Sequence, residues 1–271
     1  MTEDEIVRKL RRLAPLIGDD CAVIRPPANQ DLLFTTDFSI EGVHFEPSHA
    51  AEKIGYRAAA RSASDIAAMG GKPLYCLVSM ALAPWTDQSW IDDFYRGLTK
   101  LLSKVNASLA GGDISHADQF VCDVMFCGSV PKGKALLRSG ARPGDIVYVS
   151  GPLGGWRHRS EVVPRFDIGR KLIGKASACM DISDGLALDL HRLCMASGVA
   201  AELTNIPLLE QATIDQALHD GEDYELVFTA KPQVKVPGIR IGTITPGKAG
   251  NIKYQGKRVP PVGYDHTLQA R

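Results

Sequence analysis

The sequence predicts a mixed α/β protein in two parts, an α+β unit followed by an α/β unit, with the joint near residue 138. Three observations carry that prediction. Apolar runs of strand length alternate with segments of helical spacing along the chain. A turn-rich stretch, Arg138-Ser139-Gly140-Ala141-Arg142-Pro143-Gly144-Asp145, interrupts the alternation near the middle. Beyond it, the strand-like run Ala176, Ala178, Cys179 and Met180 leads into Asp181, and a helical pattern follows with Leu186, Leu190, Leu193 and Cys194 on one face. The length of 271 residues suits one large domain or two ordinary ones.

Taken in order, residues 3–13 place Ile6, Val7, Leu10 and Leu13 at helical spacing. Gly18-Asp19-Asp20 is a turn, Cys21–Ile24 is strand-like, and Pro26 and Pro27 mark a loop. Leu32–Thr36 reads as a second strand, and Ser39–Phe45, carrying Glu41 and His44, as a third. Residues 51–69 form a helix rich in Ala, Ser and Gly, closed by Gly70-Gly71. Small side chains there let another backbone come close. Leu74–Leu82 is a buried strand, and Pro84–Asp87 opens a helix to about Val105 with Trp90, Phe94, Leu98, Leu101 and Leu102 inward. Phe120–Val130 is a strand. After the joint, the strand Ile146–Ser150 feeds Gly151-Pro152-Leu153-Gly154-Gly155, either an anion-presenting backbone loop or a plain tight turn. It lacks the Gly-Lys-Ser/Thr ending of a P-loop. Val199–Leu203 is a strand, Leu208–Leu218 a short helix, and Gly221–Phe228 a charged turn into a strand. Short strands and Gly/Pro turns complete the chain.

Composition excludes several classes. Apolar residues make up 45% and charged residues 23%, as in soluble globular proteins. Lys plus Arg and Asp plus Glu are both 31, so no general basic surface for nucleic acid is expected. No apolar run is long enough to span a membrane. The acidic start Met1-Thr2-Glu3-Asp4-Glu5 lacks the order of a signal peptide. Six cysteines without a Cys-x-x-Cys pair read as buried, reduced thiols. The expectation is a cytoplasmic protein with neither nucleic acid nor membrane as partner.

Carboxylates recur beside glycines, hydroxyls or the ends of apolar runs. Asp19-Asp20 follows Gly18; Asp37 follows Thr35-Thr36; Asp65 follows Ser64; Asp113 follows Gly111-Gly112; Asp181 and Asp184 flank Ile182-Ser183. One Asp at a strand–helix junction is what a helix cap needs, and Ser183 or Asp184 can supply it. A second carboxylate there has no such use. Several carboxylates brought together repel one another and are costly to bury. A divalent cation among them reverses that, and Mg²⁺ favours hard oxygen ligands shared with phosphate. The pattern therefore points to a Mg²⁺–phosphate site built from strand ends.

Nine segments occur in order: Gly18-Asp19-Asp20-Cys21-Ala22, Thr35-Thr36-Asp37, Glu41-Gly42-Val43-His44-Phe45, Ser64-Asp65-Ile66-Ala67-Ala68-Met69-Gly70, Gly111-Gly112-Asp113, the Arg138–Asp145 stretch, Asp181-Ile182-Ser183-Asp184-Gly185, Gly221-Glu222-Asp223-Tyr224-Glu225-Leu226 and Gly263-Tyr264-Asp265-His266. Together they resemble the thiamine-monophosphate kinases of the aminoimidazole-ribonucleotide-synthetase-like superfamily, over nearly the whole chain. The resemblance implies transfer of phosphate from ATP, the co-substrate, to thiamine monophosphate, with several Mg²⁺ ions. It implies a homodimer whose N-terminal domains (residues 1–137) pair through their sheets, residues 138–271 completing the site. Carried over by motif, the metal ligands are Asp20, Thr35, Thr36, Asp37, Asp65, Asp113, Asp181 and Asp184. ATP contacts fall on Gly112, Asp113, Arg138 and Ser183, and substrate contacts on His44, Glu222 and Tyr264.

These residue types suit the implied chemistry. Both reactants are phosphates, so transfer needs alignment and charge neutralisation more than a general base. Arg138 offers a fixed fork of donors to phosphate, and Tyr264 a ring for a flat heteroaromatic. Each also has a plainer use: Arg138 in an ion pair at the joint, Tyr264 in packing, His44 in the core between Val43 and Phe45, Glu222 in a turn. Asp19 and Asp223 read as turn or supporting acids. Three features depart from the family pattern: a short segment between Gly155 and Asp181, a compact Leu209–Gly221, and Thr267 after Asp265-His266. Runner-up functions are another ATP-using enzyme of the superfamily, making selenophosphate, an aminoimidazole ring or a carbamoyl-derived nitrile, and a non-catalytic nucleotide-binding relative. The selenophosphate type bears a reactive Cys near its N-terminus, where this chain has Cys21, and the hydrogenase-maturation type ends in Cys, where this chain has Arg271.

Overall fold

Strand-length runs of the first half pair into one sheet. The computed structural model describes residues 22–24, 29–154 and 161–264. Its strands β1 (Ala22–Ile24), β2 (Gln30–Ile40), β3 (Lys72–Leu82), β4 (Ser108–His116) and β5 (Val121–Pro131) lie in the order β1-β2-β5-β3-β4. All neighbours are antiparallel except β3 and β4. The expected helix at 3–13, the turn with Asp19 and Asp20, Trp156–Ser160, and Asp265 to Thr267 lie outside the described residues.

The second sheet comes from the shorter runs after residue 145: β6 (Ile146–Val149), β7 (Ala176–Asp181), β8 (Ala200–Leu203), β9 (Leu226–Ala230), β10 (Ile239–Thr245), β11 (Ile252–Tyr254) and β12 (Lys257–Val259). Their order is β12-β11-β8-β10-β6-β9-β7. The helices are α1 (Ala51–Ala68), α2 (Gln88–Val105), α3 (Phe166–Leu172), α4 (Leu186–Ser197) and α5 (Ile214–His219). As the apolar spacing predicts, Leu186, Leu190, Leu193 and Cys194 of α4 are buried, in a core with Val147, Val149 and Met180.

Three expectations change. Ser39 and Ile40 finish β2, and Glu41–Phe45 is a turn rather than a strand. Gly42 takes φ +75°, and the amides of Val43 and His44 both donate to the Ile40 carbonyl. Thr35-Thr36-Asp37 lies inside β2, and Gly111-Gly112-Asp113 inside β4, so these motifs are not strand ends. The helix expected at 208–218 is confined to α5, where Thr213 and Gln216 form a reciprocal capping box. The expectation of reduced, buried thiols holds for the described cysteines, all free and buried. Burial pushes the Cys76, Cys122 and Cys194 thiols up to about 12, which leaves them inert.

Fourteen of the 18 residues of α1 are buried, so it is a core helix despite its charged residues. It packs against the first sheet and α2, and also against α3 and β7. Asp87 caps α2 by accepting from Trp90 N at 2.8 Å. The α1–α2 crossing depends on glycine from both sides. A methyl on Gly55 would lie 1.9 Å from the Phe94 carbonyl oxygen, and one on Gly97 would lie 1.8 Å from that of Glu52. Gly97→Ala forces the helices apart and is expected to cost about 1–3 kcal/mol; a thermal melt indistinguishable from wild type would refute that close contact.

Candidate active site

Helix spacing puts Arg57, Arg61, Ser64 and Asp65 on one side of α1, at i, i+4, i+7 and i+8. That side meets both sheets. Thr35 Oγ1, from β2, donates to Asp65. Ser64 Oγ donates to Asp181 Oδ2 at 2.7 Å, and Asp181, the last residue of β7, is 3% exposed. Arg57 forms an ion pair with Glu222, and Arg61 Nη1 lies 3.8 Å from Glu222 Oε1. The Arg61 guanidinium is hydrogen-bonded to the Tyr224 side chain. Burial works against its charge, but Tyr224, Asp37 and Glu222 together hold its pKa above the ordinary arginine value. One helix thus brings Thr35, Asp37 and Asp65 near Asp181 and Glu222.

The loop after Asp181 is held by an acid outside the sequence motifs. Gly185, at φ +112°, is the N-cap of α4 and offers no side-chain cap, so neither Ser183 nor Asp184 has that role. Instead, Asp189 turns back from the first turn of α4 and accepts from the amides of Ser183 at 3.0 Å and Asp184 at 2.9 Å. Arg192 pairs with Asp184 and lies 3.1 Å from Asp189. Burial, then the neighbouring Asp184 charge, pushes the Asp189 carboxyl up to about 7, against the pull of Arg192 and Arg138. Arg138 is therefore close to this loop, as is Tyr264, which is near the charges of Arg61, Glu222 and Asp184. Two segments strap the loop by backbone bonds. Glu222 N donates to Ser183 O at 2.6 Å, and Tyr264 N to Asp184 O at 3.0 Å. A methyl on Gly221 would lie 2.4 Å from the Ser183 carbonyl oxygen, so only glycine permits that approach.

Not every expected residue joins this group. Strand alternation turns Thr36 to the other face of the first sheet, where it donates to Asp123. Register runs Asp37–Val124–Val78–Gly112 across the sheet, with Phe38–Asp123–Ser79–Asp113 in the next row. Gly112 is therefore three strand spacings, about 14 Å, from Asp37, and Asp113 shares the face of Thr36. Glycine at 112 is required, because a methyl would lie 1.8 Å from the Val78 carbonyl oxygen. Asp20 lies outside the described residues. Among the described residues, no three His, Cys, Asp or Glu side chains gather closely enough to cage a metal. The donors near α1 are nonetheless all hard oxygens, which fits Mg²⁺ held by one or two carboxylates plus phosphate. His44 lines a cavity of about 760 Å³ with Arg57, Arg61 and Tyr56. Its Nδ1 accepts from Ile40 N at 2.9 Å, which makes Nε2 the donor nitrogen of the neutral ring.

Other buried acids have structural partners. Asp223 accepts from Gly154 N at 2.8 Å, so the Gly151–Gly154 turn spends that amide on a protein carboxylate. Glu225, fully buried, is gripped by Arg165 and by the Ser150 hydroxyl. The motif reading missed Arg57, Arg61 and Asp189. The signal for the two arginines was present, since charges spaced four apart in the run Arg57-Ala58-Ala59-Ala60-Arg61 mark one helix face.

Residues 18–130 match the family described as AIR synthase related protein, N-terminal domain. Two sheets with α1 and its acids between them thus define a protein of the AIR-synthase-related class. The chain is 35% identical over 251 residues to the thiamine-monophosphate kinase of Haemophilus influenzae, covering 81% of this chain and 76% of the relative. It is 32% identical over 288 residues to that of Aquifex aeolicus, covering 93% and 92%. A solved structure described as AaThiL complexed with AMPPCP and TMP superposes with TM-score 0.90 at 30% identity, covering 98% of this chain and 97% of that one. The chain belongs to the thiamine-monophosphate kinase family.

Asp189→Ala removes the acceptor for two amides and a partner of Arg192. A loss of about 2–5 kcal/mol is expected, with Asp189→Asn less damaging; equal melting midpoints for the two variants would show that the carboxylate does not hold the loop.

Proposed function

We propose that the protein transfers the γ-phosphate of ATP to thiamine monophosphate, giving thiamine diphosphate, in a Mg²⁺-dependent reaction by direct in-line displacement. The observation that carries the reading is the convergence of Asp37, Asp65 and Asp181 on one face of α1 in a chain of this family. Residues 1–137 supply Thr35, Asp37 and Asp65, and residues 138–271 supply Asp181, Asp184, Arg138, Ser183, Glu222 and Tyr264.

Asp37, Asp65 and Asp181, with Asp20 and Asp184, would hold Mg²⁺. Bound there, Mg²⁺ would neutralise phosphate charge. The chain's own residues do the rest. Arg138 and the Ser183 side chain contact the nucleotide phosphates, and His44 donates to the acceptor phosphate through Nε2. Glu222, held by Arg57, takes the amino or cationic part of the substrate, and Tyr264 stacks on its ring. An acceptor phosphate is already anionic near neutral pH, so no strong general base is needed. Among the described residues no helix is long and apolar enough to cross a membrane.

A homodimer belongs to the same reading. One face of the first sheet leaves Phe38 56% and Tyr75 53% exposed. A second copy on that face would cover this apolar surface. Asp113 lies on it too, so its share in metal and nucleotide binding depends on the pairing. Light scattering is expected to give twice the chain mass of 29.3 kDa; a monomer at the concentration of the assay would remove both the dimer and the role of Asp113.

The decisive assay supplies ATP, thiamine monophosphate and Mg²⁺ and measures thiamine diphosphate. Product is expected only with all three. Asp37→Asn is expected to keep the wild-type melt and lose at least about 10²-fold in turnover. Near wild-type turnover would take Asp37 out of the metal set, and nucleotide binding without product would point to a superfamily relative with another acceptor.

A further inference from the structure

A buried helix facing a sheet gains nothing from a guanidinium that lacks full partners, because an unmet buried donor keeps its desolvation cost. Arg61 is 8% exposed and lines the cavity beside the N-terminal half of α1. It is hydrogen-bonded to Tyr224. Its Nη1 is 3.8 Å from the Glu222 carboxylate, too far for a hydrogen bond. Among the described residues, neither Nε nor Nη1 of Arg61 makes one.

The rest of the cavity favours an anion. Lys53, Arg57, Arg61 and Lys100 line it against two acids, Glu52 and Glu161. Both acids are engaged by Lys100, at 3.6 and 3.0 Å. Position narrows the ligand further. Arg61 precedes Asp65 by one helical turn, about 6 Å along the axis, and Asp37 acts on its charge. An anion at Arg61 therefore stands beside the acids proposed for Mg²⁺. The cavity of about 760 Å³, with Tyr56 in its wall, takes an organic body as well as the anion.

We propose that Arg61 anchors the phosphate of the acceptor substrate and makes the site select a phosphomonoester over the free alcohol. This rests on the kinase reading above. The alternative source of the same chemistry is a nucleotide phosphate. The acceptor is favoured because Arg61 shares its cavity with His44, whereas Gly112 is on the far edge strand.

The test is calorimetric titration, with EDTA present for the thiamine compounds so that no metal ion bridges the phosphate. Wild type is expected to bind thiamine monophosphate about 10- to 100-fold more tightly than thiamine, the value of a charged hydrogen-bonded contact. Arg61→Gln is expected to abolish that gap while leaving the affinities for thiamine, and for ADP with Mg²⁺, unchanged. Three results each overturn the proposal: no gap in wild type, an undiminished gap in Arg61→Gln, or loss of ADP rather than thiamine monophosphate affinity. Should Arg61→Gln fail to fold, Arg61→Lys decides, because its point charge in place of the planar fork should narrow the gap; an unaltered gap counts against Arg61. Wild type that makes no thiamine diphosphate at all would instead sink the kinase reading. Turnover by wild type with the gap intact in the variant sinks only the role of Arg61.

Discussion

The polar side of α1 is the contact on which the rest depends. Helix α1 is buried along most of its length, yet it carries two arginines, a serine and an aspartate on one side. Charges at such depth are tolerable only when paired, and the partners come from both sheets: Thr35 from the first, Asp181 and Glu222 from beyond residue 138. Removing one partner would leave a charge stranded rather than delete a small favourable term. The pairs that fix how the two halves sit are therefore the pairs that line the candidate site, and fold and site cannot drift apart independently.

A second constraint acts on the loop from Ile182 to Gly185. A strand that ends in a buried acid and turns at once into a helix must satisfy several amides in little space. Asp189 takes two of them from inside the helix, and the 221–224 and 263–264 segments take the carbonyls. Asp184 is thereby paired with Arg192 instead of being used as a cap. A carboxylate relieved of capping keeps oxygen lone pairs for a ligand, which is why the location of the cap matters functionally.

Much of this was legible in the chain. The strand and helix periods gave α1, α2, α4 and the main strands because those segments are long and one-sided. The motif order pointed to the family, and glycine beside acid marked places where backbones meet, as at Gly112 and Gly221. Three things were hidden. Apolar runs in β2 and β4 end before the strands do, because Thr35–Asp37 and Gly111–Asp113 continue the extended chain with polar residues. Sequence adjacency of Thr35, Thr36 and Asp37 suggested a common target, but a strand's period of two sends the middle residue to the opposite face. The partner of an amide, as with Asp189, is a matter of tertiary distance to which local spacing is blind.

The charges on both sides of the joint make the last point. Asp37, Asp65, Asp181, Asp184 and Asp189 are matched, in part, by Arg57, Arg61, Arg138 and Arg192, so the acidic motifs stand in a nearly compensated setting. A site of carboxylates alone would repel a phosphate, and a site of arginines alone would repel a divalent cation. Interleaving the two along α1 and α4 lets an anionic reactant and a cation enter adjacent positions, each meeting opposite charge already in place. Arg57, Arg61 and Arg192 sit on helices, whereas Arg138 lies in the turn-rich stretch at the joint. The arginines on α1 are then the natural place for this chain to set its preference among phosphate-bearing acceptors.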